Sequence, residues 1–180
     1  MSETGLLTPS NSTLVIVDLQ ERFAPAIEGW EGIVERASIL ARTANLLGWP
    51  VVITEQYPRG LGPTVEAVAG ELEPFAPLEK TAFPATGAAG FDLGGRGHAV
   101  LCGVETHVCV QQTALALAGD GIDVQVVADA TGSRSSDDRD AAMARMAMAG
   151  VAPTTTEAIG FELLGSADAD GFREFQEMIR

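Results

Sequence analysis

The chain has 180 residues, 46% hydrophobic and 20% charged, a composition that fits one globular domain with room for a sizeable core. Its formal net charge is −14, which disfavours a phosphate backbone or an anionic membrane as partner. No run approaches the ~20 apolar residues that span a bilayer, Met1–Ser12 lacks the regions of a leader, and two cysteines make no disulfide framework, so a cytoplasmic protein with reduced thiols is expected.

Residues 1–12 read as a loose lead-in to a single domain over 1–180. Thr13–Asp18 is a β-branched apolar run ending in a carboxylate. As a buried parallel strand it places Asp18 at the C-terminal edge, where open α/β sheets bind ligands. A carboxylate at that place also serves simply to cap the next turn. Leu19–Trp30 reads as a loop. Ile33, Ala37, Leu40, Ala44 and Leu47 then recur at helical spacing, and Gly48 and Pro50 stop that helix. Val51–Thr54 is the second strand. Glu55–Glu79 is irregular and rich in Pro and Gly, with one or two helical turns around Val65–Ala69. Such a stretch inside a compact domain is often an active-site loop. Pro77–Lys80 is a short strand candidate that puts Lys80 at a strand end. Lys80 is the single lysine beside ten arginines, and a compact ammonium is not interchangeable with a guanidinium. Thr81–Gly97 is a loop, with a short helix near Ala88–Leu93.

Ala99–Cys102 is a compact apolar strand, and Gly103 marks a turn. Thr106 is a good N-cap residue whose hydroxyl would reach the backbone N–H of Cys109, in the first turn of a helix running to Gly119. Asp123–Ala128 is a strand, Asp129–Asp138 a polar loop holding Arg134, and Arg139–Ala149 a helix whose Met143 and Met146 suit core packing. Ala152–Thr155 is a last strand; Thr156–Leu164 and Asp170–Ile179 are closing helices. Strands alternating with helices predict one α/β domain with a parallel sheet.

A cysteine at a helix N-terminus is favoured as a thiolate, although a small thiol is also a common core residue. Asp18 offers a base and Lys80 a cation. Backbone N–H groups near Glu105 offer oxyanion donors. Cys102, in the strand, is expected to face the core and be inert. His107 lies two residues from Cys109, so it points to another face, toward a pocket mouth or a subunit contact.

Leu14-Val-Ile-Val-Asp18-Leu-Gln-Glu-Arg-Phe23, Glu79-Lys80-Thr-Ala-Phe83 and Cys102-Gly-Val-Glu-Thr-His-Val-Cys109 resemble, in order and spacing, the three motifs of the isochorismatase-like cysteine hydrolases. Val52–Pro63 and Val127–Arg134 are most similar to the isochorismatase-domain-containing proteins of undefined substrate. The resemblance implies a triad of Asp18, Lys80 and Cys109 on a three-layer α/β/α, Rossmann-like fold with a six-stranded parallel sheet. It also implies a cis peptide between Val104 and Glu105 that shapes an oxyanion hole with Cys109. Gln20, Phe23, Tyr57, Phe83 and Thr106 flank the motifs as candidate pocket residues.

The nicotinamidase branch of this superfamily holds a metal through an Asp-x-His pair and a further His. Here that stretch reads Thr54-Glu-Gln-Tyr-Pro58, and the histidines are His98 and His107, so no metal or cofactor is expected. Isochorismate cleavage needs no thiol, and Cys109 therefore favours acyl chemistry. The expected activity is a metal-independent hydrolysis of a small amide or related C–N bond through a Cys109 thioester. A vinyl-ether hydrolase and a non-catalytic scaffold stay open as alternatives. The expected partners are a small-molecule substrate and further copies of the chain, as a dimer or higher; nucleic acid and membrane are not expected.

Overall fold

The computed structural model describes residues 5–180. The sheet is six-stranded and parallel throughout, in the order β3-β2-β1-β4-β5-β6. Its strands are β1 (Ser12–Val17), β2 (Val51–Gln56), β3 (Leu78–Lys80), β4 (His98–Val104), β5 (Asp123–Gly132) and β6 (Ala152–Thr154). Successive side chains on a strand point to opposite faces, so a strand buried on both faces must be apolar throughout. β1 obeys this: Leu14 and Ile16 pack into one layer, Val15 and Val17 into the other. β4 divides likewise, with Val100, Cys102 and Val104 on the first face and Ala99 and Leu101 on the second.

The first face is covered by α1 (Trp30–Leu47), whose Ile33, Ala37, Leu40 and Ala44 form the expected stripe, and by α6 (Thr156–Leu164) through Ile159 and Leu163. The second is covered by α4 (Gln111–Gly119) through Ala114 and Leu117, and by α5 (Ser136–Met148) through Met146. α7 (Phe172–Met178) closes the chain by burying Phe175 beside Ile39 and Leu164. Two single turns, α2 (Pro58–Leu61) and α3 (Glu66–Ala69), interrupt the long connection between β2 and β3. The result is a three-layer α/β/α fold.

Several local expectations change. Met1–Thr4 of the expected lead-in lie outside the described residues. The rest of that segment is tied down: Leu7 is buried and donates its N–H to Glu162 Oε1, and Ser12 opens β1. Asp129–Gly132 continue β5 instead of opening a loop. The register with β4 skips from Leu101–Val126 to Gly103–Thr131, and Thr131 Oγ1 donates to Gly103 O at 2.7 Å, which anchors the extension. The Asp129 carboxylate serves α6 by accepting from the N–H and hydroxyl of Thr156. α5 starts three residues early because Ser135 caps it, accepting from the Asp138 N–H. No helix forms at Ala88–Leu93; a 3₁₀ turn at Ala85–Gly87 stands before it, its Ala85 N–H held by the Thr113 hydroxyl.

Gly103 lies inside β4, not in a turn. Its φ is +116°, and a Cβ there would sit 2.0 Å from the carbonyl oxygen of Val17. Only glycine lets β1 and β4 approach so closely just before Asp18. Gly103→Ala is therefore expected to destabilise the protein by about 3 kcal/mol or more, read as a lowered urea midpoint at unchanged m-value.

Candidate active site

The strand order makes the site. β1 lies between β2 and β4, and successive connections leave it toward opposite edges, so the crevice beyond its C-terminal end is a topological switch point. Asp18 follows β1 directly, with φ of +53°, a conformation Asp tolerates better than most residues. Lys80 ends β3, two strands away, and Cys109 follows β4. The three residues, 62 and 29 positions apart in the chain, thus meet at one sheet edge.

Lys80 Nζ lies 2.7 Å from Asp18 Oδ2, and both side chains are fully shielded from solvent. The ammonium also donates to Gln56 Oε1 at 2.7 Å, Phe83 O at 2.9 Å and Ala82 O at 3.2 Å. The other Asp18 oxygen, Oδ1, accepts from Thr54 Oγ1 at 2.7 Å. An ion pair removed from water is tolerated only when its remaining hydrogen-bonding capacity is met, and here it is.

Cys109 is buried against this pair. Its thiol is pushed up to about 12, first by burial and then by the Asp18 charge, with Lys80 pulling the other way. Burial and the Asp18 charge thus favour the protonated thiol, in opposition to the pull that a helix start and Lys80 exert toward thiolate. The expected helix start is also displaced. Thr106–Val110 form a π turn, in which the Val110 N–H reaches back to Glu105 O, and α4 begins only at Gln111. Thr106 does not cap it; its hydroxyl is buried 3.2 Å from Thr131 Oγ1. Cys102 lies on the opposite face of the sheet, fully buried, and is likewise pushed up to about 12 by burial and the Asp129 charge.

The peptide between Val104 and Glu105 is cis. The Glu105 side chain is buried, and its Oε2 accepts from both the backbone N–H and Nε of Arg134, at 3.1 and 3.0 Å. A cavity of about 360 Å³ opens on Cys109; its walls include Phe23, Leu61, Phe83, Val108, Arg22 and Arg134. Phe23 and Phe83 are thus where pocket residues were expected, whereas Gln20, Tyr57 and Thr106 are not on its walls. Gln20 is a buried clamp that donates to Gln56 O and Gly62 O and accepts from the Gln56 N–H. Tyr57 is exposed and lines a separate hollow beside Glu79 and Arg59. His107 bonds to Ser133 Oγ at 3.0 Å, away from the sulfur.

Sequence reasoning missed Thr54, Gln56, Arg22 and Arg134. Thr54 was readable only once β1 and β2 are in register, because Val17 pairs with it. Glu55, the carboxylate in the stretch compared with metal sites, is spent on the N–H and hydroxyl of Thr64. Among the described residues no cluster of His, Cys, Asp and Glu could hold a metal ion, and no helix is long and apolar enough to cross a membrane.

A sequence model of the isochorismatase domain matches residues 12–158. Isochorismatase domain-containing protein 1 of Danio rerio is 43% identical across 98% of this chain and 63% of its own length, so the chain spans less than two thirds of that relative. Isochorismatase domain-containing protein 2A of Mus musculus is 40% identical across 98% of this chain and 86% of its own. Among solved structures, one described as the MAR1 ribonuclease of Caenorhabditis elegans superposes with a TM-score of 0.91 at 38% identity, covering 97% of this chain and 92% of that one.

Both thiols are raised above the ordinary value of 9.0. Below that pH the folded and unfolded chains both keep these protons. Above it the unfolded chain releases them while the folded chain holds them, so stability falls from about pH 9 to about pH 12. Urea midpoints measured across this range should drop, and Cys102→Ala should make the drop shallower.

Proposed function

The chain belongs to the isochorismatase family, and from that premise we propose that it is a metal-independent cysteine hydrolase of a small amide or related C–N bond. The observation that carries the reading is the shielded Lys80–Asp18 pair at 2.7 Å, with both groups acting on the Cys109 thiol. A resting thiol cannot attack an amide unaided, so the chemistry needs a base in contact with it. In the proposed cycle the Asp18 carboxylate takes the sulfhydryl proton as Cys109 Sγ bonds to the carbonyl carbon. The tetrahedral oxyanion is held by backbone N–H groups around Val104–Glu105 and at Cys109. Asp18 then gives its proton to the leaving nitrogen, the C–N bond breaks, and a thioester remains. Water, losing a proton to Asp18, attacks the thioester; the acid leaves and the sulfur is protonated again. Lys80 holds charge balance throughout, keeping the carboxylate oriented and offsetting negative charge as it forms on sulfur.

The name of the nematode structure points to ribonuclease chemistry for that protein. Here the −14 net charge and a cavity of about 360 Å³ walled largely by apolar side chains favour a small neutral-bodied substrate over a polyphosphate chain. The proposal includes self-association as a dimer or higher: Tyr57 and Phe83, both exposed, put apolar surface beside the site.

Cys109→Ala and Asp18→Asn should each lower turnover of an active amide by about 10³-fold or more. Mass spectrometry of quenched wild type should find an acyl adduct on Cys109. Undiminished amide cleavage by Cys109→Ala would remove the thioester route. Cleavage of a vinyl ether equally by both proteins would favour the ether-hydrolase alternative.

A further inference from the structure

Resting on this hydrolase reading, we propose that Gln56 is a positioning residue for the reaction: its amide oxygen lets the Lys80 ammonium stay fully hydrogen-bonded while Asp18 gains and loses a proton. An ammonium has three protons to donate. Among the described residues Lys80 Nζ has four oxygen acceptors: Asp18 Oδ2 and Gln56 Oε1 at 2.7 Å, Phe83 O at 2.9 Å and Ala82 O at 3.2 Å. The ammonium thus has one acceptor more than it has protons, and of the four only the Asp18 oxygen carries charge.

The surplus matters when that charge is cancelled. In the proposed cycle Asp18 takes the Cys109 proton. Its Oδ1 is held by the Thr54 hydroxyl at 2.7 Å, so the proton goes to Oδ2, the oxygen that Lys80 uses. The hydroxyl oxygen of a carboxylic acid accepts more weakly than a carboxylate oxygen. The three neutral acceptors that remain then match the three protons of the ammonium. Without Gln56 only two carbonyl oxygens would remain for three protons, and a buried charged donor left unmet would oppose protonation of Asp18. The Gln56 side chain is held in the orientation this needs. Its Nε2 donates to Thr81 O at 2.9 Å, which turns Oε1 toward Lys80. Its backbone N–H and C=O are both clamped by the Gln20 amide.

Labelling of Cys109 by iodoacetamide tests this without requiring turnover. The S–C bond forms, iodide leaves, and the thiol proton passes to Asp18. Rates are read by peptide mass spectrometry and divided by the rate with glutathione. Gln56→Met keeps the length of the side chain but loses both the acceptor and the tether to Thr81. Gln56→Glu loses the tether and keeps the acceptor; its added charge raises the proton affinity of sulfur and carboxylate together, so the transfer between them changes little. Gln56→Met should label about tenfold or more slowly than the wild type, the factor for one hydrogen bond to a charged group, and Gln56→Glu should label several-fold faster than Gln56→Met. Should Gln56→Met melt early, Gln56→Leu replaces it in the comparison. Equal slowing in the apolar and the Glu variants would make Gln56 a loop tether only and overturn the proposal, as would an apolar variant that labels as fast as the wild type. Failure of the hydrolase reading is seen separately, as no release of ammonia from butyramide by the wild type. If butyramide is hydrolysed, Gln56→Met should lower kcat and leave KM little changed.

Discussion

The buried bond between Lys80 and Asp18 is the constraint on which the rest of the molecule is arranged. Moving both charges out of water costs several kcal/mol per ion, and the surrounding residues are those needed to offset it. Four acceptors surround the ammonium: a carboxylate, a side-chain amide and two main-chain carbonyls. The second carboxylate oxygen has Thr54. Cys109 enters as a third party whose proton is disputed by the two charges, and burial decides the dispute in favour of the thiol.

That bond dictates how the loops are held. Gln56 bridges from the Lys80 ammonium to Thr81 O, and Gln20 is pinned to the Gln56 backbone. Glu55 fastens Thr64, so the stretch from Tyr57 to Pro63 is anchored at both ends by buried polar side chains. On the other flank, Thr131 fixes the bend in β4 through Gly103 O and lies beside the Thr106 hydroxyl. Polar residues far apart in the sequence thus form two hydrogen-bonded groups, one around Lys80, Gln56 and Gln20 and one around Thr131 and Thr106, on either flank of the site.

Much of the architecture is legible in the residues alone. Buried parallel strands must be continuous apolar runs, and β1, β2 and β4 read so directly. Asp18, Lys80 and Cys109 stand where such runs end, which is also where an open sheet binds ligands. What stays hidden depends on register and on which way a side chain turns. Thr54 looks like any strand threonine until Val17 is known to lie beside it. Gln20, Tyr57 and Thr106 adjoin the motifs, yet sequence proximity does not choose a face, and all three turn away from the cavity. Arg134 was hidden in a polar run that reads as solvated loop, because its partner Glu105 is 29 residues away. The surroundings of Cys109 are hidden for the same reason: the first turn of a helix is local, whereas burial and a carboxylate from another strand are not.

β3 gives the protein an uneven mechanical character. It has three residues, pairs on one side only, and is approached through Pro74 and Pro77, which cannot donate to a ladder. Short, one-sided edges are the segments that open with least free energy, independently of global unfolding. The ammonium that balances the buried carboxylate is thus carried on a short edge strand of the sheet. Amides of residues 78–80 should therefore exchange with solvent ahead of those in β1 and β4, and local opening of this edge would uncouple the charge pair while most of the core is still folded.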